Sequence, residues 1–241
     1  GVHSCAVTVD GALWCWGAND SGQLGTGPDT VTATGDPTKA PAAVIDINGN
    51  ALSNVIDVAA FSALGNLNIG TSGSTCALVA GIPQQLFCWG DNSVGQLGIG
   101  DGTVASASYP TGIPITVALS GLSAGGDSIC ATATASSSIY CWGGNAAGQL
   151  GPNASGAAVL APVSVSVPTD FSVTSVAIGP FGHACASTTG GDVFCWGDNT
   201  SGQLGFDPTL TPSVASPQFV TTSTAIDPTT VLSAGDSFTC M

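Results

Sequence analysis

Apolar and polar residues alternate along the chain in short runs broken by small-residue turns. The first run is Ala6-Val7-Thr8-Val9, followed by Asp10-Gly11 and then Ala12-Leu13-Trp14-Cys15-Trp16. Alternation with a period of two marks half-buried strands, and Asp-Gly between two such runs marks a tight hairpin. More apolar runs precede the later hairpins: Val55-Ile56-Asp57-Val58-Ala59-Ala60, Ile115-Thr116-Val117-Ala118-Leu119 and Val173-Thr174-Ser175-Val176-Ala177-Ile178. Each reads as a strand leading into its hairpin. The second hairpin strand carries an aromatic residue, Cys and Trp in sequence, the aromatic being Trp14, Phe87, Tyr140 or Phe194. Alternation sets the aromatic and the Trp on one face and the Cys on the other.

This pattern recurs with one phrase, Cys-Trp-Gly, a turn, then Gly-Gln-Leu-Gly. Its tryptophans are Trp16, Trp89, Trp142 and Trp196, spaced by 73, 53 and 54 residues, and its leucines are Leu24, Leu97, Leu150 and Leu204. A period of about 50 residues means stacked supersecondary units. A Trp in every unit reads as a wedge between stacked sheets, with the Leu as an apolar plug and the Gln as a hydrogen-bonding amide. Three or four strands per unit, repeated radially, predict an all-β fold, a β-propeller of four repeats plus the start of a fifth. The units of this single array fall at about 1–54, 55–114, 115–172 and 173–230, with a fifth beginning at 231–241.

The nine cysteines sort by position in the repeat. Cys5 and Cys15, Cys76 and Cys88, Cys130 and Cys141, and Cys185 and Cys195 flank the hairpins. A hairpin turning at Asp10-Gly11 brings Cys5 opposite Cys15, so one disulfide per hairpin is expected, each closing a loop of about ten residues and contributing roughly 2.5–3 kcal/mol. Four such bridges imply an oxidising compartment. With two thiols per unit, no Cys-x-x-Cys spacing and no regular His, zinc is not indicated. Cys240 is left over, in a stretch that matches the start of a unit. It is expected to be unpaired, or to bond another chain. The first unit also opens without its leading strand, so the 241 residues read as a stretch of a longer array.

Composition narrows the function. All fifteen acidic residues are Asp, the one cation among Lys and Arg is Lys39, and the net charge is −14. Phosphate binding needs Lys and Arg, so nucleic acid is excluded as a partner. No apolar run approaches the roughly 18 residues of a spanning helix, so no membrane insertion is expected.

The string Cys-Ala-Val-Thr-Val-Asp-Gly-Ala-Leu-Trp-Cys-Trp-Gly-Ala-Asn-Asp-Ser-Gly-Gln-Leu-Gly, residues 5–25, resembles a repeat of the regulator of chromosome condensation family. The resemblance recurs at 76–98, 130–151 and 185–205, and the paired cysteines look most like its exported bacterial members. It implies a seven-bladed propeller, about three blades more than this chain supplies, and binding to a protein. Nucleotide exchange on a small GTPase, which the family name suggests, fits poorly with disulfides.

Chemistry is sparse. His3 and His183 each precede a Cys by two residues, but the equivalent positions hold Ser74, Ser128 and Phe238, so packing explains them better than a Cys-His pair. Asp91-Asn92, Asp198-Asn199 and Asn19-Asp20 offer oxygens to Ca²⁺, and turn bonding to their own backbone accounts for them more simply. Asn19, Asn153 and Asn199 begin Asn-x-Ser/Thr triplets, with Asn153 the candidate glycosylation site because it lies in a variable loop. No cofactor, metal or catalytic residue is indicated. From Gly25 to Cys76 is 51 residues, against 32 to 35 in later units, and the extra residues, Thr34–Lys39 and Asn48–Asn50, read as surface loops. The expected function is a non-enzymatic scaffold or binding module, extracellular or on the cell surface. It would self-associate into a larger assembly or filament, or form a closed ring binding a protein through its loop face.

Overall fold

The computed structural model describes residues 3–28, 38–62, 72–221, 226, 227, 229 and 231–240. Every strand or helix named among them is a strand. The first sheet orders β1 (His3–Val7), β2 (Leu13–Gly17) and β3 (Thr38–Ala43). The second runs β4 (Val55–Ser62), β5 (Gly73–Val79), β6 (Gln85–Asp91), β7 (Ser106–Gly112). The third runs β8 (Leu119–Gly125), β9 (Ser128–Ala133), β10 (Ser138–Gly144), β11 (Ala158–Ser166). The fourth runs β12 (Val173–Gly179), β13 (His183–Thr188), β14 (Val193–Asp198), β15 (Ser213–Phe219), and β16 (Ser233–Ala234) with β17 (Thr239–Cys240) makes a last hairpin. All pairings within these sheets are antiparallel, each sheet a meander of neighbouring strands.

The leading strands form the inner side of the arc, since β4, β8, β12 and β16 pack on one another in succession. The last strands lie outside, and each carries a proline: Pro41, Pro110, Pro162 and Pro217. Each proline sits beside the residue paired with the second Cys, at a shift in register between that Cys and the following Gly. A proline has no N–H to donate, and the bulge bends the strand, so the outer edges do not template further pairing.

The core lies between sheets. One layer joins Leu13, Cys15, Leu24 and Val44 of the first sheet to Val55, Ala77 and Trp89 of the second. The next joins Leu78, Cys88 and Leu97 to Ile129 and Trp142, and the third joins Ile139, Cys141 and Leu150 to Phe194 and Trp196. Each layer therefore pairs the disulfide face of one sheet with the Trp face of the next. Glycine makes that approach feasible. Gly90 and Gly143 have φ of 100° and 96°; a Cβ there would lie 3.2 and 3.4 Å from the Gln23 and Gln96 Cα of the preceding sheet, and would collide with the Gly73 and Asp127 carbonyls of its own sheet. A Cβ on Gly98 would lie 2.7 Å from the Trp142 ring.

Candidate functional site

The seams between sheets hold the repeated motif. In each Gly-Gln-Leu-Gly loop the Asn five residues earlier accepts the Leu N–H on its Oδ1, at 3.0 Å for Asn19, Asn92, Asn145 and Asn199 alike. The Gln Oε1 accepts the N–H of the residue two positions before it, from Ser21, Val94, Ala147 and Ser201. These bonds shape the loop so that the Gln backbone carbonyl faces the next sheet. There it receives the indole N–H of the next Trp: Trp89 on Gln23 at 3.0 Å, Trp142 on Gln96 at 3.1 Å and Trp196 on Gln149 at 2.8 Å. A buried indole N–H without an acceptor would cost a hydrogen bond's desolvation, about 1–3 kcal/mol.

Cys5–Cys15, Cys76–Cys88, Cys130–Cys141 and Cys185–Cys195 are bonded, each pair directly opposite in register. Cys240 is free and exposed. Of the four tryptophans, Trp89, Trp142 and Trp196 are wholly buried, whereas Trp16 is half-buried. The four leucines are all buried.

The histidines bridge seams. His3 Nε2 lies 2.8 Å from Thr75 Oγ1 of the second sheet, and His183 Nε2 lies 3.1 Å from Thr239 Oγ1 of the last hairpin. Both rings are buried with Nδ1 unpartnered. Burial lowers the His3 pKa to about 4 and lowers that of His183 also, so both are neutral at pH 7. The other two seams have Ser74 and Ser128 at the equivalent place, with Ile129 and Ala184 at the repeat positions that match Thr75 and Thr239, and those hydroxyls turn back to the Asp91 and Gly144 carbonyls. Sequence reading assigned these histidines to packing and missed the bridge. Its signal is that His pairs with a Thr in the next repeat, and Ser with an apolar residue.

Two of the acidic turn residues are engaged within their own loops, while Asp20 has a buried Oδ2 with no hydrogen-bond partner. Asp91 accepts from Ser93 and Gln96, and Asp198 from Thr200 and Gln203. Among the described residues, no three of His, Cys, Asp and Glu lie together as a metal-binding group. Asn19 and Asn199 are buried, which removes them as glycan acceptors in the folded chain, while Asn153 is exposed and donates its amide to the Ser164 carbonyl at 2.7 Å. No helix among the described residues is long and apolar enough to cross a membrane.

The Gly-Gln-Leu-Gly loops lie at one end of the sheets. At the other end lie the tight hairpin turns and the sheet-to-sheet connections. The first connection, residues 44–54, includes the predicted Asn48–Asn50 loop, closed by a bridge between Ile45 and Ala51. Asp46 Oδ1 accepts the N–H of Asn48 and Asn50 at 2.8 Å, and the Asn50 amide donates to Oδ2. These bonds hold its carboxyl below the usual range. Of the other predicted loop, Thr34–Pro37 lies outside the described residues.

Sequence profiles place this pattern in context. The profile described as "Regulator of chromosome condensation (RCC1) repeat" matches residues 10–60, 84–132, 136–186 and 190–241, and a second of the same description matches 173–203. Each of the four longer matches begins at a hairpin turn; the first ends in β4, the second in β9 and the third in β13, and the last takes in β16 and β17. The chain is similar to the probable E3 ubiquitin-protein ligase HERC6 of Homo sapiens, 32% identical over 227 residues, covering 90% of this chain and 19% of the ligase. It is 30% identical over 210 residues to the Ultraviolet-B receptor UVR8 of Arabidopsis thaliana, covering 84% of this chain and 41% of the receptor. In fold it is similar to Prp20p from Saccharomyces cerevisiae, with a TM-score of 0.73 at 20% identity, covering 98% of this chain and 52% of that one.

Proposed function

The chain belongs to the regulator of chromosome condensation (RCC1) repeat family, and on that premise we propose that it is a non-enzymatic scaffold and binding module working outside the cell or on its surface. The RCC1-like propeller is a protein-interaction module. The observation that carries the finer reading is the set of four hairpin disulfides, each buried in or beside a seam. Thiols paired in each of the four larger sheets suit an oxidising compartment. Glycan attachment at exposed Asn153 belongs to the same reading. The assembly part rests on Trp16: its face has the chemistry of the three internal seams but is only half covered. A further blade with a free Gln carbonyl would complete it, whichever chain supplies that blade.

A second reading is a closed ring of seven blades that holds a protein on its loop face. It is favoured by the likeness to Prp20p, a protein described with binding to Gsp1p and histones, of which this chain spans about half. Electron microscopy and native mass measurement of unreduced material test both readings. A polymer whose repeat matches four blades is the result expected of an assembling scaffold, and a discrete ring the result expected of the second reading. Open arcs that stay monomeric at every concentration overturn both.

A further inference from the structure

We propose that the hairpin-turn end of the first two sheets is a docking surface for a protein segment whose apolar side chains are flanked by Lys or Arg. The proposal rests on the reading of the chain as a protein-binding module and locates that binding. Three β-branched side chains stand out from this end: Val9 at 110% exposure, Ile47 at 77% and Ile82 at 105%. They occupy the tips of the β1–β2 turn, the Ile45–Ala51 loop and the β5–β6 turn, where polar residues serve a solvated turn better. The corresponding turns of the third and fourth sheets, residues 134–137 and 189–192, carry no large apolar residue.

The three tips belong to one continuous surface. The Val55 N–H donates to the Gly11 carbonyl at 3.0 Å, and the Ala80 N–H to the Asn54 carbonyl at 2.8 Å, tying the first turn through the connection to the second. The Gln84 side chain then pairs with both backbone groups of Leu119, at 2.7 and 3.0 Å, fixing the second turn to the third sheet. A cavity of about 490 Å³ lies on one side of the β5–β6 turn, walled by Asp46–Asn54 and floored by Phe87 and Pro110. Another of about 440 Å³ lies on the other side, lined by Ile82, Pro83, Ile115 and Val117. The knobs stand beside one hollow with an apolar lining and one whose polar walls surround Phe87 and Pro110, a setting in which a few buried anchors carry most of a binding energy.

Charge selects the occupant. Asp10 lies beside Val9 and Asp46 beside Ile47, and hydrogen bonds from Thr8 and Asn50 keep both carboxylates ionised to low pH. The chain carries −14 overall with Lys39 its one Lys or Arg. A segment bearing its own carboxylates would be repelled, and one with cationic flanks would be drawn in.

The test uses the full, disulfide-bonded chain and a fluorescent hexapeptide, lysine–leucine–valine–leucine–valine–lysine, followed by anisotropy. Controls are the same peptide with glutamate flanks and one with serine and threonine inside. Binding of the lysine-flanked peptide alone is expected. It should weaken at least tenfold in the triple variant Val9→Thr, Ile47→Thr, Ile82→Thr, and stay unchanged in Leu210→Thr, an exposed apolar residue at the opposite end. In Asp10→Asn with Asp46→Asn, the preference for lysine flanks over glutamate flanks should shrink. A thermal midpoint unchanged in the triple variant shows that the fold is intact, and threonine keeps the β-branch at each tip. Undiminished binding to the triple variant, equal binding of the glutamate-flanked peptide, or no binding overturns the proposal. Binding lost only in Leu210→Thr overturns this surface yet leaves the chain a protein-binding module, whereas the particle measurement above judges that reading independently.

Discussion

The seam between the first and second sheets and the seam between the third and fourth are built alike and finished differently. Both bury a Trp whose indole N–H reaches the previous Gln carbonyl, and both lay that ring on a disulfide face with a Leu plug. The first adds His3 on Thr75; the third has Ser128 and Ala184 at the matching repeat positions, with the Ser hydroxyl on Gly144. The common part supplies apolar burial, which holds at any pH. The variable part adds a group that must stay neutral to stay buried. A repeat can thus keep its stacking geometry while giving one seam a dependence on proton concentration that its neighbour lacks.

Removing the common part should erase the distinction with the largest effect. Trp89→Ala and Trp196→Ala should each destabilise by about 3–5 kcal/mol, since a wholly buried aromatic is lost and a cavity left. Trp16→Ala, at the half-covered face, should cost under half as much in the same denaturant titration. Equal losses at all three sites would mean that burial in the seam is not what the Trp contributes.

Acid should separate the seams next. The His3 pKa falls from 6.5 to about 4 on folding, so the unfolded chain binds the extra proton first. Stability is therefore full above pH 6.5 and is lost as pH falls toward 4, on the order of 3 kcal/mol in all. His183 acts in the same direction, while Asp127, raised by burial, opposes it close to the ordinary carboxylate range. Hydrogen exchange at pH 7.5 and pH 4.5 should show faster opening around β1 and β5, and around β13 and β17 where His183 sits, with β10 and β11 little changed. Uniform loss of protection would remove the histidine explanation. Disulfides should not discriminate: replacing Cys5 and Cys15, or Cys130 and Cys141, by Ala should cost about 2.5–3 kcal/mol in either seam. A markedly larger loss at one pair, by thermal melts in oxidising buffer, would show that the two faces differ in more than the His.

The sequence made the stacking visible because its constraints fall on residue type. Trp, Leu, Cys and Gly each answer a demand for volume, bonding or backbone freedom, and those demands recur at one period. The acceptor for each indole was not visible, because it is a backbone carbonyl, which every residue has. Gln23 was read as a side-chain amide in the seam; that amide shapes the loop, and the main chain makes the contact between sheets. Asn19 and Asn199 matched a glycan pattern in sequence, yet the same side chains organise the Gly-Gln-Leu-Gly loop from a buried position. The His–Thr bridges join residues 72 and 56 positions apart, and two histidines were too few to reveal a rule. The exposed tip Val9 read as an ordinary member of an alternating run, because exposure depends on which turn a residue caps.

The finest test moves the bridge from one seam to another. In the third seam Ser128 stands opposite Gly125, as His183 stands opposite Gly179, so an imidazole at 128 meets no cross-strand side chain there, and it replaces the hydroxyl that accepts from the Gln149 amide. Ser128→His alone places a buried ring against Ala184 with no acceptor, and Ala184→Thr alone buries a hydroxyl without a donor. Together they should recover about 1 kcal/mol of coupling at pH 7.5, the net worth of one hydrogen bond, in a double-mutant cycle by denaturant unfolding. The pair should also make the third seam open in acid as the first does. Coupling near zero would mean that the His3–Thr75 contact follows from the first sheet's own setting, and that the seams differ by their surroundings rather than by one exchangeable pair.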